Sequence, residues 1–197
     1  MFLTVGHIER YNSAYKAIKK IIKKVKFIEA HRLGPFTPRI KDCGVVLDLM
    51  IHDIDILLAL TQSEVTEIDG VGINVLTKHE DIANARLRFA NGAVANITAS
   101  RLTPEKQRKI RIFQDDAYIS IDYQNQEASI YRKELFNISQ KNIDIKKEEP
   151  LKSELETFIN RIQTNDTHNR IDIDARNALE IALEILESIK ENSKKIK

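Results

Sequence analysis

The chain has 197 residues, 42% of them apolar and 30% charged, with a formal net charge of +2. That length supports one sizeable core or two small ones, and the composition is that of an ordinary water-soluble protein. So small a charge gives no pull towards nucleic acid, the single Cys43 excludes an internal disulfide, and no apolar run reaches the length of a membrane span. The opening Met1 to His7 lacks the basic and long apolar regions of a signal peptide, so a cytoplasmic protein is expected.

Phe2 to Gly6 is a short apolar run that suits one buried strand. It leads into His7-Ile8-Glu9-Arg10-Tyr11-Asn12, a polar and aromatic cluster at a strand end, where α/β folds place ligand contacts. The same cluster also reads as a solvated turn, with Asn12 or Ser13 as a helix N-cap. Ala14 to Lys24 has helical spacing, with Ala14, Ala17, Ile18, Ile21 and Ile22 apolar and lysines opposite. Val25 to Leu33 alternates as a strand does. Gly34 to Arg39 then breaks regular structure at Pro35 and Pro38, a segment equally suited to touching a ligand and to plain connection.

Gly44 to Leu60 predicts a helix buried nearly all round. At 100° per residue Leu47, Ile51, Ile54 and Leu58 form an apolar stripe, and Asp48, His52 and Asp55 share a second one. Ionisable groups in such surroundings need partners, because an unpaired buried charge is expensive. A carboxylate one turn before a histidine is a workable acid/base pair, since the imidazole titrates near neutrality and the anion orients it. Capping of neighbouring segments or ion pairing is the plainer alternative.

Strands are predicted over 64–77, 82–90, 93–101, 108–114, 117–123, 128–133 and 137–145. Many sequential strands with few crossovers point to an α+β fold on a largely antiparallel open sheet. Asn91-Gly92 predicts a type I′ hairpin. Pairing Ala90 with Ala93 puts Ala85, Leu87 and Phe89 on one face with Asn96, Thr98 and Ser100, and Arg86 and Arg88 on the other with Ala95, Ile97 and Ala99. Neither face is then polar, so both should be covered, one by a second subunit in a homo-oligomer. Pro150 opens a helix whose apolar face is Leu151, Leu155, Phe158, Ile159 and Ile162. After a polar loop at 165–170, Asp172 or Asp174 caps a last helix bearing Ala178, Leu179, Ala182, Leu183, Leu186 and Ile189, and the tail 194–197 should fray.

Val5-Gly6-His7-Ile8-Glu9-Arg10-Tyr11-Asn12, the Asp-x-x-x-His-x-x-Asp that follows Gly44, and the strand-rich region behind them resemble the Gfo/Idh/MocA oxidoreductases over nearly the whole chain. The resemblance implies an α+β domain whose sheet is flanked by helices on one face. Residues 1–12 would be a remnant of the last strand of a nucleotide-binding domain, and 13–197 a substrate and oligomerisation domain. It implies hydride transfer between a sugar or cyclitol carbon and NAD or NADP, with Asp48 and His52 as the catalytic pair. His7, Arg10, Asn12, Arg32, Arg39 and Asp55 would contact substrate. Arg32-Leu33-Gly34-Pro35-Phe36 and Thr98-Ala99-Ser100-Arg101 are similar to members acting on nucleotide-linked amino sugars, UDP-N-acetylglucosamine 3-dehydrogenases among them. Arg32, Arg39 and Arg101 have the guanidinium fork that suits a diphosphate.

The chain also departs from the family's pattern. Gly70-Val71-Gly72 lacks a third glycine and sits in a predicted strand, and Pro104-Glu105-Lys106 has the residues of the family's Glu-Lys-Pro motif in another order. No cofactor-binding residue is therefore assigned, and the chain corresponds to about the latter half of such an enzyme, expected to be inactive alone. A non-catalytic module for sheet-mediated dimerisation or ligand binding is the alternative. A metal enzyme using His7, Asp48, His52 and Asp55 is weaker, because no tight His-x-x-x-His spacing occurs, and no metal ligand is assigned.

Overall fold

In the computed structural model, the described residues are all except 1–2, 39, 41, 135–136, 167–169 and 196–197. Alternation of apolar and polar side chains builds the sheet. In β1 (Val25–Leu33) Ile28 and Ala30 are fully buried while their neighbours lie on the other face. The same alternation continues in β3 (Ile82–Phe89), β4 (Val94–Ser100), β5 (Gln107–Gln114), β6 (Ala117–Asp122) and β7 (Glu127–Lys133), while β2 (Val65–Ile73) and β8 (Ile138–Asn142) are largely exposed. The strands form one eight-stranded sheet in the order β2-β3-β4-β1-β5-β6-β7-β8. All neighbours are antiparallel except β1 and β4, so the expected largely antiparallel sheet is present, with the earliest strand at its centre.

The β3–β4 hairpin differs from expectation by one residue. Ala85 pairs with Ile97 and Leu87 with Ala95, and the loop closes through Phe89 N to Ala93 O at 2.9 Å and Gly92 N to Phe89 O at 2.9 Å. The turn is thus a three-residue Ala90-Asn91-Gly92 loop, with Gly92 at φ +84°, rather than a two-residue type I′ turn. A one-residue shift moves one strand's whole side-chain set to the other face. Ala83, Ala85, Leu87 and Phe89 consequently share the buried face with Ala95, Ile97 and Ala99, and Asn84, Arg86 and Arg88 share the outer face with Asn96 and Thr98. Here the outer face is polar, which removes the argument that both faces of this hairpin must be covered.

Helices cover the buried face. Asn12 caps α1 (Ser13–Lys19) by accepting from Ala14 N at 3.0 Å. The predicted central helix exists, but it opens with a π-helical turn at Val46–Met50 before α2 (Ile51–Thr61). The long C-terminal helix (Arg170–Lys195), α4, lies over β2 and α2, closely enough that a side chain at Gly70 would meet the Ile185 carbonyl at 3.1 Å. It starts before Asp172 and Asp174, so neither is its cap; Asp174 instead bonds Arg10 at 3.1 Å.

Two further expectations are corrected. Leu3 to Gly6 has no regular structure, and Leu3 and Val5 are exposed rather than held in a strand. In α3 (Pro150–Gln163) Glu154 and Arg161 are the buried residues, while Leu151, Leu155, Ile159 and Ile162 face outwards. Arg161 is held there by Asp172 at 3.1 Å. No described helix is long and apolar enough to cross a membrane.

Candidate active site

The bidentate reach of one arginine organises the site. Arg32, on the buried face of β1, donates from Nε and Nη2 to Asp53 at 3.0 and 2.8 Å and from Nη1 to Glu9 at 2.9 Å. All three residues are nearly inaccessible. Burial opposes the guanidinium's charge, and Asp53 followed by Glu9 outweighs it, holding Arg32 protonated. The triad ties together β1, α2 and the 3₁₀ turn at Ile8–Tyr11.

A cleft of about 450 Å³ opens over this triad. His52, Asp48 and Leu49 line it from the π/α2 helix, Gly34, Pro35, Thr37 and Ile40 from the loop after β1, and Lys106 and Arg108 from the start of β5. The loop whose prolines break regular structure is therefore a cleft wall. Arg101 holds that wall in place. Its Nη1 donates to the Ile40 and Cys43 carbonyls at 3.1 and 3.0 Å, Nε to Asp81 at 2.7 Å, and its plane lies against Phe36. With those partners Arg101 is committed to the protein itself.

His52 is lowered to about 4, first by burial and then by the positive charges of Arg32 and by His7, so the ring is neutral at physiological pH. His7 is lowered as well, chiefly by burial, with Asp55 opposing and Arg10 reinforcing. The two rings stand edge to face with centroids 5.6 Å apart. Each has a buried Nδ1 without a hydrogen-bond partner among the described residues. Buried polar atoms are normally satisfied, so two orphans side by side mark a place built to receive another group.

The other expected substrate contacts divide clearly. Asp48 and His52 share the cleft, His7 abuts it and Arg32 forms its floor. Asp55 faces elsewhere: it is fully buried and holds Arg10 at 2.6 and 2.7 Å. His52 and Asp55 both lie in the regular α2, where a step of three residues leaves them about 60° apart around the axis, enough to turn Asp55 from the cleft towards Arg10. Asn12 is also structural, donating to the Tyr123 carbonyl at 3.0 Å. Arg10, Asn12 and Asp55 thus hold the scaffold, and Arg39 lies outside the described residues. Sequence reasoning does not single out Glu9, Lys106 and Arg108, because Glu9 is placed by its bond to Arg32 and the two cations by the pairing of β5 with β1.

Gly70 and Gly72 offer nothing to a dinucleotide. Added Cβ atoms there would come within 3.1 Å of the Ile185 carbonyl and 3.0 Å of the Ile189 Cδ1, so these glycines admit α4 rather than a pyrophosphate. Neither glycine fits a cofactor's phosphates. Among the described residues no group of three or more His, Cys, Asp or Glu side chains is placed to hold a metal ion.

Comparison with known proteins agrees with this geometry. Residues 21–120 match the GFO/IDH/MocA C-terminal domain. Over 169 residues the chain is 36% identical to UDP-N-acetylglucosamine 3-dehydrogenase of Acidithiobacillus ferrooxidans, covering 82% of this chain and 54% of that protein. The chain therefore spans about half the length of the curated relative it matches. A solved structure of the same Acidithiobacillus enzyme superposes with a TM-score of 0.89 at 34% identity, covering 97% of this chain and 62% of that one. Levoglucosan dehydrogenase, solved with NADH and L-sorbose, shares the fold at 17% identity, with a TM-score of 0.80 over 95% of this chain and 63% of its own. The matched domain, the identity and the superposition together show that the chain belongs to the GFO/IDH/MocA family.

Proposed function

We propose that this chain is the substrate-binding and catalytic half of an NAD(P)-dependent oxidoreductase acting on a sugar or nucleotide-sugar hydroxyl, UDP-N-acetylglucosamine by analogy with its relative. In this reading residues 1–12 end a nucleotide-binding unit, 13–197 form the substrate domain, and the protein works in the cytoplasm. The observation that carries the proposal is a neutral, half-buried His52 on a cleft large enough for a sugar. A neutral imidazole accepts the hydroxyl proton, and its low affinity for that proton lets it be passed on. Asp48 steadies the cationic ring that results; such contacts tighten only when substrate closes the site. When bound, NAD(P) supplies the acceptor for the hydride leaving the same carbon. Arg32, locked by Glu9 and Asp53, keeps the cleft floor rigid beneath the reacting group.

The assembly we propose is a homo-oligomer through the helix-free face of the sheet. Its support is a cross-strand row of rings there: Phe27 and Phe113 at 5.7 Å, Phe113 and Tyr118 at 5.1 Å, Tyr118 and Tyr131 at 4.5 Å. Aromatic rows of this kind are favoured at subunit contacts.

The test is to supply a nucleotide-binding unit, fused or in trans, and measure NAD(P) reduction with UDP-N-acetylglucosamine. His52→Ala should lower kcat about 10²–10⁴-fold, the range for a positioned general base, and Asp48→Asn should slow the same step. An assembled enzyme indifferent to His52→Ala, or an isolated chain that already reduces NAD, sinks the proposal.

A further inference from the structure

Arg32 on the floor of the cleft stands directly opposite the half-exposed Arg108 at its edge. Arg32 on β1 pairs in register with Arg108 on β5, and like charges in that arrangement repel. The pair shares one nearby carboxylate, Glu9, which lies 2.9 Å from Arg32 and 3.8 Å from Arg108. Arg32 takes the short bond and also has Asp53, so Arg108 is left largely uncompensated and half exposed. Lys106, two positions earlier, is exposed and has no ion pair among the described residues. Side chains two apart at a strand's start point the same way. The result is a pair of available cations side by side.

They also stand at a junction. A second cavity of about 450 Å³ adjoins the cleft, and the residues common to both are Leu33, Lys106 and Arg108. His52 and Asp48 line the first cavity, and Gln124, Asn125 and Asp122 line the second. The order along the groove is acid/base pair, cations, then the Gln124 and Asn125 amides, whose carbonyl oxygens and the Gln124 NH₂ suit a base edge while Asp122 holds the Asn125 Nδ2 at 3.2 Å.

Resting on the dehydrogenase reading above, we infer that Lys106 and Arg108 grip the diphosphate of a nucleotide-linked sugar whose nucleoside occupies the second cavity and whose sugar reaches His52. Of the three arginines that the sequence offers for this role, Arg32 and Arg101 are spent on Asp53, Glu9 and Asp81, and Arg39 lies outside the described residues. A guanidinium and an ammonium without close partners match the two adjacent phosphates in charge and number. The anion also relieves the repulsion between Arg32 and Arg108.

The test is calorimetric titration of the 197-residue chain with UDP, UMP and uridine. Affinity should fall in that order. The double variant Lys106→Ala/Arg108→Ala should weaken UDP roughly 10²- to 10⁴-fold, the scale of two lost charge-assisted hydrogen bonds. Arg108→Lys should lose less than Arg108→Ala, and Lys133→Ala/Lys141→Ala, an equal charge change on β7 and β8, should leave affinity unchanged. Thermal melting confirms that each variant remains folded. UDP affinity unaltered in the folded double variant, or no UDP binding at millimolar concentration, overturns the inference. If UDP binding depends on these cations while the assembled enzyme shows no NAD(P) reduction with UDP-N-acetylglucosamine, the grip stands and the dehydrogenase reading falls. The converse result removes the grip alone.

Discussion

The imidazoles of His7 and His52 meet edge to face at 5.6 Å, although 45 residues of chain separate them. Both are held neutral, mainly by burial, and each carries an unpartnered Nδ1. This contact joins the N-terminal turn to the central helix at the point where the cleft opens.

A pH dependence of stability follows. An unfolded histidine takes up its proton near 6.5, whereas folded His52 does so near about 4. Between these values the unfolded state binds more protons, so stability is full above about pH 6.5 and declines as pH falls towards 4. For His52 the decline is at most about 3 kcal/mol, and His7 adds to it in the same direction. Urea midpoints at pH 7.5 and 4.5 should fall less in His52→Gln than in the wild type. An equal fall in both would contradict a proton-excluding site.

The Arg32 triad should matter more for stability than any surface ion pair. Arg32→Ala leaves Glu9 and Asp53 buried without their cation, which costs about 3–5 kcal/mol. Arg32→Lys keeps the charge but loses the two-pronged contact with Asp53, so it should fall between. Lys23→Ala, which breaks an exposed, solvent-screened pair with Asp116, should have the smallest effect of the three. Urea denaturation of the three variants ranks them, and a different order disproves the assignment.

Gly70→Val tests the contact of α4 with the edge strand. The new side chain must enter space bounded by the Ile185 carbonyl at 3.1 Å and Ile189 at 3.2 Å, and the carbonyl belongs to a helix that cannot yield locally. Overpacking of this kind costs roughly 1–3 kcal/mol. Calorimetric melting should show a lower Tm; an unchanged Tm means that α4 does not pack there in solution.

Self-association through the aromatic row is tested by sedimentation at micromolar concentration. The wild type should sediment as an oligomer, and Tyr118→Asp, placed between Phe113 and Tyr131, should shift it to monomer without unfolding it. A wild type that is monomeric throughout removes the proposal.

Features that depend on neighbours along the chain are legible in the sequence itself. The alternation around Ile28 and Ala30, the helix carrying Asp48 and His52, the Asn91-Gly92 turn and the Pro150 helix start all follow from backbone geometry repeating every two or about 3.6 residues. The cleft-facing pair Asp48 and His52 comes from the same local periodicity, and the loop beside it is marked by its own prolines. Every assignment resting on partners far along the chain requires the tertiary structure. Arg10 and Asn12 look like ligand contacts until Asp55 and the Tyr123 carbonyl, 45 and 111 residues away, take up their hydrogen-bonding groups. The hairpin faces turn on one residue of register, because side chains alternate with a period of two and a single slip exchanges outside for inside. Arg108 acquires its place only when β5 pairs with β1 and sets it against Arg32. Periodicity is a property of the chain, whereas the partner of a charge is decided by which distant strand folds beside it.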